Sequence, residues 1–542
     1  MEQHSPQNTS EHGRLSFLGK SSLSWPEGLL IIIFLALAIY NAFLCDDAFI
    51  TFRFADNLAS GNGPVYNPGE RVEGYTNFLW MLLMAIVIKM GGAPQLWSRI
   101  LSIGFSLGTI LLFLKSGNKQ NKPPLGELVF AACLIFSAPF SAWSTGGLET
   151  GAYTFFLFGG IVTFISAYQA NSHKKLLFAS LMFTLAALTR PEGVLVFVLA
   201  FGYLAVAALS RKVSFGQIIL FLLPFAILYG IYFVWRLEYY GKLFPNTFYI
   251  KEPGPILIKL GFQYCWRFLV NCPIWLPVAL AAYVWVKSRS PKLGRGYSFI
   301  ILLFLIYSTY VIYAGGDFMD LSRFLMPMLP PLFLLLGRLY NSGADNTHGR
   351  TTMILSAIMV AGFAFFNIQT CIKTREISYE YDVDSMGALR RFVSEWTSVG
   401  HLISEYSLPT DTIAVTAAGI IPYYSKLYTI DMYGLEAVDL SKYGQLKRLT
   451  RPGHRMTISL PYLRKLQPHF LIAHPIVTEG RPRQFPHSRI EDMYPVLLEK
   501  YAAVSAELPG LPGYFLSFWV RKDVVPRIPK NITIYKTDYS NP

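Results

Sequence analysis

Charged residues are scarce in this chain. Only 15% of its 542 residues are Asp, Glu, Lys or Arg, whereas 53% are hydrophobic and the mean hydropathy is +0.37. Soluble domains carry nearer to a quarter of charged residues. The shortage therefore excludes a soluble globular protein and predicts an integral membrane protein with several apolar spans of about 20 residues each.

Cysteine is rare as well, and the common cofactor motifs are lacking. The five cysteines are scattered, without a CxxC pair or a Cys/His cluster of zinc spacing, so no disulfide framework is indicated. No Walker loop, HExxH, GxSxG or EF-hand pattern is present, and coupling to a nucleotide is not supported. No cofactor follows from the sequence. A divalent cation bound by carboxylates stays open, since no coordination pattern defines one.

The net charge of +14 has no basic-aromatic module beside it, so we expect no nucleic-acid partner. In a polytopic protein, cations collect in cytoplasmic loops. The first span covers residues 27–45, after a polar cytoplasmic tail of residues 1–26 without a cleavable leader. Residues 77–92 are apolar but short. If they lie along the membrane, the later basic clusters all fall on the side of the N-terminus, which the positive-inside rule favours.

This choice predicts about eleven spans and places the first loop, residues 46–94, on the outer side. The transmembrane domain then covers residues 27–370. Residues 371–542 are polar and are expected to begin outside the membrane. Helical and strand patterns alternate in them, which predicts an α/β domain. The predicted spans after the first are residues 95–114, 124–142, 148–168, 176–189, 193–209, 216–236, 272–287, 297–314, 324–340 and 352–370. In the tail, a helix is predicted over 385–407 and strands over 412–416, 427–430, 470–473 and 514–520.

Two adjacent carboxylates, Asp46 and Asp47, close the first span. Ionisable groups near hydrocarbon are costly, so such residues are functional candidates, although both acids would alternatively cap a helix end in water. Carboxylates, cations and amides around a membrane cavity suit the transfer of a sugar from a lipid phosphate. In such a transfer, a sugar hydroxyl attacks an anomeric carbon well only if a positioned carboxylate takes its proton. On a helix the two side chains point about a hundred degrees apart, so one of them is expected to face the reacting atoms. Asp46, which comes first, is slightly preferred.

Further polar residues gather in the predicted outer loops. A departing phosphate needs a cation or metal to hold its developing charge, and cations are available there. Each cation has the alternative of a headgroup anchor or an ion pair with a neighbouring acid. The candidates for binding the donor phosphate are Arg190, Arg323, Lys242 and Lys251; those for binding sugar or acceptor are Arg53, Glu73, Tyr75, Asn77, Glu149, Glu192, Asn246 and Asp317. Helix capping is the alternative for Glu149 and Asn246.

A break in the helical pattern supports a cavity among these residues. The short run 176–189 is followed by Pro191 and Gly193, which interrupt a helix. Non-helical backbone at membrane depth is tolerated where it lines a cavity. The five histidines of the tail show no ligand spacing and are expected to be structural.

These loops resemble a known family. The stretch DDAFITFRFADNLASGNGPVYNPGERVEGYTNFLW is similar to the first outer loop of the membrane arabinofuranosyltransferases, a group that includes mycobacterial terminal β-1,2-arabinofuranosyltransferases and the pilin arabinosyltransferases of Gram-negative bacteria. TGGLET, ALTRPEG, YYGKLFPNTFYIK, GGDFMDLSRFLMPMLPP and AAGIIPYYSKLYTIDMYGLEAVD recur in the same order in that group. The resemblance spans roughly residues 40–520.

The resemblance implies a polytopic α-helical membrane protein of GT-C type, with interfacial helices in the first loop and a periplasmic C-terminal domain that helps to hold the acceptor. It implies a polyprenyl-phosphate donor, typically of D-arabinofuranose, and a glycan, lipoglycan or pilin-type acceptor. Asp46 and Asp47 match the family's acid pair. The further matches are Glu149 with the GGLET glutamate, Arg190 and Glu192 with the RPEG pair, and Asp317 and Arg323 with the GGDFM loop.

The sequence therefore predicts a glycosyltransferase of the bacterial inner membrane with an active site facing the periplasm. A GT-C transferase for a different sugar is one alternative. A flippase or transporter for lipid-linked sugars is another. A transporter would show paired broken helices in two related halves, whereas one broken region, near Arg190, is visible without a matching half.

Overall fold

A computed structural model describes residues 24–116, 124–250, 255–287, 294–344, 350–379, 383–436, 444–446, 456–486, 499–528 and 532–535. A helical part comes first along the chain, and a C-terminal part with a β-sheet follows. The helical part contains α1 (Trp25–Tyr40), α2 (Asp46–Ala59), α3 (Phe78–Lys89), α4 (Pro94–Lys115), α5 (Leu125–Phe136), α6 (Ala138–Trp143), α7 (Thr150–Ala170), α8 (His173–Thr189), α9 (Glu192–Leu209), α10 (Phe215–Tyr240, with a π turn at Phe225–Tyr229), α11 (Asn246–Ile250), α12 (Pro255–Asn271), α13 (Trp275–Lys287), α14 (Ser298–Ala314), α15 (Leu329–Ala344) and α16 (Arg350–Thr374).

Within the described residues, five helices are each long and apolar enough to cross a membrane, namely α4, α7, α9, α10 and α16. Helices α12 and α13 pass the same test together, with a bend of 70° between them. Helices α1, α3, α5 and α14 are apolar but shorter. These helices are those of a membrane protein, and the number of about eleven spans stays a prediction.

Helix α12 was not expected from the sequence, which predicted a span over 272–287 alone. Lys259 and Arg267 interrupt its apolar residues, so it does not read as a continuous hydrophobic run. Its buried residues, among them Gly261 and Tyr264, face α14 and the loop after it. At Gly261 an added Cβ would collide with the backbone of Ile312, so glycine allows the close approach of α12 to α14.

The C-terminal part is built around a six-stranded mixed sheet of order β2-β1-β5-β7-β6-β8. Strand β1 pairs in parallel with β2 and β5, and the remaining neighbours pair antiparallel. Strands β3 and β4 form a separate pair. The elements are α17 (Met386–Tyr406), β1 (Thr412–Val415), α18 (Ile420–Ser425), β2 (Tyr428–Asp431), β3 (Gly444–Leu446), β4 (Met456–Ile458), α19 (Leu460–Leu466), β5 (Phe470–Glu479), β6 (Tyr501–Glu507), β7 (Tyr514–Arg521) and β8 (Thr533–Tyr535).

Two features of the first loop bring the helical and C-terminal parts together. Helix α3 has 12 residues and buries Trp80, Met81 and Met84, and it packs against α2. Helix α2 also packs against α18 of the C-terminal part. The start of α2 therefore lies where the two parts meet.

Candidate active site

A cavity of about 1080 Å³ lies between the helical part and the C-terminal part. The helical part contributes the start of α2, the end of the first loop, and the loops before α7, α9 and α11 and after α14. The C-terminal part contributes residues of α17, β1, β2 and β5. The predicted site residues that line the cavity are Asp46, Asp47, Tyr75, Asn77, Glu149, Arg190, Glu192, Asp317 and Arg323.

The two acids at the start of α2 have different surroundings. The carboxylate of Asp46 accepts hydrogen bonds from the backbone N–H groups of Ile420 (2.7 Å) and Gly419 (3.1 Å). The side chain of Asp47 is 36% exposed, and its Oδ2 lies 3.9 Å from a guanidinium nitrogen of Arg323. The geometry therefore favours Asp47 as the acid that meets a ligand, and Asp46 as the acid that joins α2 to α18.

The carboxyl of Asp46 titrates far from its ordinary range. Burial by the surrounding protein raises its pKa to about 7, and the negative charge of Asp47 adds to the rise. The N–H groups of Ile420 and Gly419 favour the charged form and oppose this rise. Gly419 itself approaches so closely that an added Cβ would collide with the backbone carbonyl of Asp46.

Arg323 lies between two carboxylates. Its Nε donates to Oδ2 of Asp317 at 2.9 Å, and Asp47 is on its other side. Its guanidinium carbon lies 5.3 Å from the ring centroids of both Trp143 and Phe324. A planar guanidinium held in this way keeps a fixed orientation, and guanidinium groups are suited to binding the oxygens of carboxylates and phosphates in pairs.

The second arginine of the cavity comes from the break between α8 and α9. Proline at 191 disfavours helical backbone at Arg190, which is extended (φ −150°, ψ 143°) and ends α8. An added Cβ at Gly193 would collide with the backbone of Ala187, so glycine allows this tight turn. The guanidinium of Arg190 bonds Glu149 (2.8 Å) and Glu192 (3.0 Å).

The two arginines share one aromatic neighbour. The guanidinium carbon of Arg190 lies 5.0 Å from the ring centroid of Phe324, the ring that Arg323 also contacts. Asn77 donates to Oε2 of Glu149 at 2.8 Å and so ties the end of the first loop to this cluster. The cavity therefore presents two neighbouring guanidinium groups, held by carboxylates, on the side of the helical part.

Comparison with known proteins bears on this arrangement. A family model described as "Domain of unknown function (DUF8728)" matches residues 385–523. The chain is similar to the terminal β-(1→2)-arabinofuranosyltransferases of Mycobacterium tuberculosis (29% identity over 329 residues) and Corynebacterium glutamicum (26% over 354 residues). These matches cover 54% and 56% of this chain and 51% of each relative, so the chain spans about half the length of the curated relatives it matches.

Solved structures show the fold. The crystal structure of ArnT from Cupriavidus metallidurans in the apo state aligns with a TM-score of 0.53 at 12% identity, over 92% of this chain and 98% of that chain. The same protein bound to undecaprenyl phosphate aligns with a TM-score of 0.52 at 12% identity, over 74% and 85%. The chain has a GT-C fold. The family resemblance read from the loop motifs is confirmed by the relatives.

Some of the predicted residues lie behind the wall of the cavity and do not line it. Arg53 is buried and donates to the backbone carbonyls of Tyr66 (2.8 Å), Pro422 (2.6 Å) and Leu427 (2.7 Å), and to Asn67 (3.0 Å). Its donors are therefore directed at the protein. This geometry favours a structural role for Arg53, in contrast to the sugar-binding role expected from the sequence.

A second group behind the wall centres on Asn246. Its side-chain amide donates to the carbonyls of Gly434 and Leu435, both at 2.9 Å, and Lys242 donates to its Oδ1 at 3.1 Å. Glu73 forms a buried ion pair with Arg236. These residues support the wall and do not line the cavity. Lys251, another predicted phosphate ligand, lies outside the described residues.

The C-terminal part adds lining residues that were not predicted as site residues, notably Asp431, Glu436 and His474. Asp431 accepts hydrogen bonds from the N–H groups of Tyr433 (2.9 Å) and Glu436 (3.0 Å). His474 follows Ala473, whose φ of 54° lies at an irregularity in β5. Such bulges redirect side chains. The sequence signal for Asp431 and Glu436 was the stretch YTIDMYGLE, which belongs to the family resemblance. His474 lies outside it and was expected to be structural.

Apolar side chains form another region of the cavity wall. They include Leu195 of α9, Leu257 of α12, and Tyr310 and Tyr313 of α14. Among the described residues, no three His, Cys, Asp or Glu side chains form a group that could hold a metal ion. The described residues therefore supply no defined metal site.

Proposed function

We propose that the protein is a glycosyltransferase that moves D-arabinofuranose from a polyprenyl-phosphate donor to a glycan, lipoglycan or pilin-type acceptor. We place the reaction at the periplasmic face of a bacterial inner membrane. The single observation that carries the proposal is the pairing of Asp47 with Arg323 at 3.9 Å on the wall of a large cavity. Transfer of a sugar from a phosphate needs a base and a cation side by side.

Each group has a defined part in the proposed reaction. Asp47 accepts the proton of an acceptor hydroxyl while the oxygen of that hydroxyl forms a bond to the anomeric carbon of the donor sugar. The bond between the anomeric carbon and the phosphate oxygen breaks, and its electron pair leaves with the phosphate. Arg323, with Arg190 beside it, stabilises the negative charge that develops on the phosphate.

The donor is supported by the distribution of polar and apolar lining. Leu195, Leu257 and Tyr310 surround a region suited to an isoprenoid chain, and the two arginines suit its phosphate. ArnT, which shares the fold, was crystallised with undecaprenyl phosphate. The choice of D-arabinofuranose follows from the names of the curated relatives.

The test uses purified protein in liposomes, decaprenyl-phosphoarabinofuranose labelled in the sugar, and an acceptor extract from the cell envelope. We expect the wild type to transfer label to the acceptor and Asp47→Asn to lose roughly 10²-fold or more in turnover. The matched control is Asp56→Asn, because Asp56 lies on the same helix and forms an exposed ion pair with Lys426. Its turnover should stay near that of the wild type.

Three outcomes would contradict the proposal. Full turnover by Asp47→Asn would exclude the proposed base. Transfer from a donor carrying another sugar, with none from the arabinofuranose donor, would change the substrate. Movement of the donor across the bilayer without transfer would favour a flippase.

A further inference from the structure

Glu436 is a buried carboxylate in the cavity wall that the reaction above does not use. Its exposed fraction is 2%, and among the described residues its Oε2 has no hydrogen-bond partner. Buried carboxylate oxygens are normally satisfied, and one without a partner costs stability. An unsatisfied polar atom of this kind in a cavity wall points to a ligand that completes its hydrogen bonds.

The backbone around Glu436 is held from two sides. The carboxylate of Asp431 accepts the N–H of Glu436 at 3.0 Å. On the preceding residues, the amide of Asn246 binds the carbonyls of Gly434 and Leu435. The backbone at Glu436 is therefore held by contacts to both parts of the molecule.

The facing wall leaves room for the carboxylate. Glu436 lies against Gly74 of the first loop, and both residues line the cavity. An added Cβ at position 74 would collide with the carboxylate, so the glycine is required for Glu436 to stay where it is. This close approach brings an acid of the C-terminal part to the loop that also supplies Tyr75 and Asn77.

The charges around Glu436 disfavour an anionic ligand group. Burial raises the pKa of Glu436 well above its ordinary value, with the negative charges of Asp431 and Asp47 adding to the rise and Arg53 opposing it. A protonated carboxyl both donates and accepts a hydrogen bond. The chemistry suits a neutral hydroxyl group, whereas a phosphate belongs with the arginines of the helical part.

We propose that Glu436 binds a hydroxyl group of the acceptor sugar beside Asp47 and so determines acceptor specificity. The proposal rests on the proposed function and assigns a specific residue to the C-terminal part, which the family resemblance already implies to help hold the acceptor. Arg190, Arg323 and the apolar residues assigned to the donor belong to the helical part, while Glu436 comes with the polar residues Asp431, Thr416 and His474. The lining cation of the C-terminal part, Arg391, is paired with Glu395 at 2.6 Å. The acceptor therefore occupies the C-terminal side of Asp47.

The test compares Glu436→Leu and Glu436→Gln with wild type in the liposome assay, with separate titration of donor and acceptor. For Glu436→Leu we expect the acceptor KM to rise roughly tenfold while the donor KM stays within about twofold. Glu436→Gln keeps a hydrogen-bond donor and an acceptor atom, so its acceptor KM should lie between those of wild type and Glu436→Leu. Gly74→Ala should raise the acceptor KM because its Cβ displaces Glu436. The thermal unfolding midpoint of Glu436→Leu should be unchanged or higher, because an unpartnered carboxylate is removed.

A buried glutamate in an ion pair serves as the control. Oε1 of Glu127 also lacks a hydrogen bond but lies 3.2 Å from a guanidinium nitrogen of Arg338, and its Oε2 accepts from the amide of Asn341. Glu127 lies outside the cavity wall, so Glu127→Gln should lower the unfolding midpoint without changing either KM. If Glu436→Leu behaves like Glu127→Gln, Glu436 is structural and the inference is overturned while the proposed function stands.

Direct binding separates the inference from turnover. A synthetic arabinofuranose oligosaccharide is titrated into detergent-solubilised wild type and Glu436→Leu, and binding is followed by ligand-observed NMR. Weaker binding by the variant supports the inference whatever the turnover. Equal binding by both proteins, or none by wild type, overturns it. Absence of label transfer by a wild type that binds the oligosaccharide would instead count against the proposed function.

Discussion

Asp46 accepts a 2.7 Å hydrogen bond from the backbone N–H of Ile420, so the first residue of α2 caps the first turn of α18. About two turns further along α2, Arg53 donates to the carbonyls of Pro422 and Leu427 at the other end of α18. One helix of the first loop thus satisfies backbone groups at both ends of a helix of the C-terminal part. Asp47 follows directly, and this joint fixes its direction into the cavity.

Removal of the Asp46 carboxylate should weaken the contact between α2 and α18. In Asp46→Ala the N–H groups of Gly419 and Ile420 lose their acceptor, which costs about 1 kcal/mol for a typical N-cap. We expect faster hydrogen exchange in the peptide that contains these amides, and a several-fold loss of turnover that is much smaller than that of Asp47→Asn. The measurement is hydrogen-deuterium exchange by mass spectrometry beside the liposome assay. Unchanged exchange would show that Asp46 does not hold these amides, and a turnover loss as large as that of Asp47→Asn would assign the catalytic role to Asp46.

Arg53→Lys should destabilise the protein without affecting substrate affinity. A lysine ammonium cannot reach the carbonyls of Tyr66, Pro422 and Leu427 together, and each buried acceptor left unsatisfied costs about 1–3 kcal/mol. We expect a clearly lower unfolding midpoint and unchanged KM values in the folded fraction. Arg71→Lys is the control, because Arg71 is exposed and only stacks on Tyr239. A raised KM at an unchanged midpoint would restore Arg53 as a ligand.

The arginine and carboxylate cluster of the helical part could be predicted from the sequence. A Pro and a Gly between two apolar runs mark a break in which polar side chains gather, and the structure places Arg190 and Glu192 there in the cavity lining. Asp317 and Arg323 likewise follow an apolar run. Each of these motifs borders a hydrophobic helix. The ends of these helices lie at one side of the helical part, so the motifs meet there.

The rest depends on contacts that residue types do not show. Arg53 and Asn246 belong to motifs that look like the others, yet backbone carbonyls from far along the chain occupy their donors. Glu436 and His474 line the cavity although they were not predicted, since they reach it only when the C-terminal part packs against α2. Helical geometry predicted that Asp46 and Asp47 point apart. It could not predict that Asp46 binds the first turn of α18, because no local sequence pattern links α18 to α2.

Arg323→Gln should weaken binding of the donor. Under the proposed function the variant loses a charge-assisted contact to the donor phosphate, and hydrogen bonds to charged groups contribute about 1.5–3 kcal/mol, or roughly 10- to 100-fold in affinity. We expect the donor KM to rise by that factor, with the acceptor KM little changed. The control is Arg338→Gln, which removes a half-buried arginine paired with Glu127 outside the cavity wall and should change stability alone. Equal donor KM values for wild type and Arg323→Gln would place the phosphate elsewhere.

Stability should fall as the pH rises from about 4 to about 7. The pKa of Asp46 is raised from 3.8 to about 7 by burial, so in this window the folded protein binds more protons than the unfolded chain. The contribution of Asp46 is fully present below about pH 4 and is lost as the pH passes its folded pKa. Burial raises the pKa of Asp431 and Glu436 as well, which gives the same sign. The measurement is the unfolding midpoint of the detergent-solubilised protein between pH 4.5 and pH 8.

Asp46→Asn isolates the contribution of the Asp46 carboxyl to the change of the unfolding midpoint with pH. Asparagine retains one acceptor oxygen but does not titrate, so the midpoint of the variant should vary less with pH than that of the wild type. The two slopes should differ most between about pH 4.5 and pH 7, where the folded wild type keeps a proton that the unfolded chain has lost, and should converge above the folded pKa of about 7. If the two slopes are equal, or if wild-type stability rises with pH, the carboxylate of Asp46 is ionised across the range. The two N–H groups of α18 would then outweigh the cost of its burial.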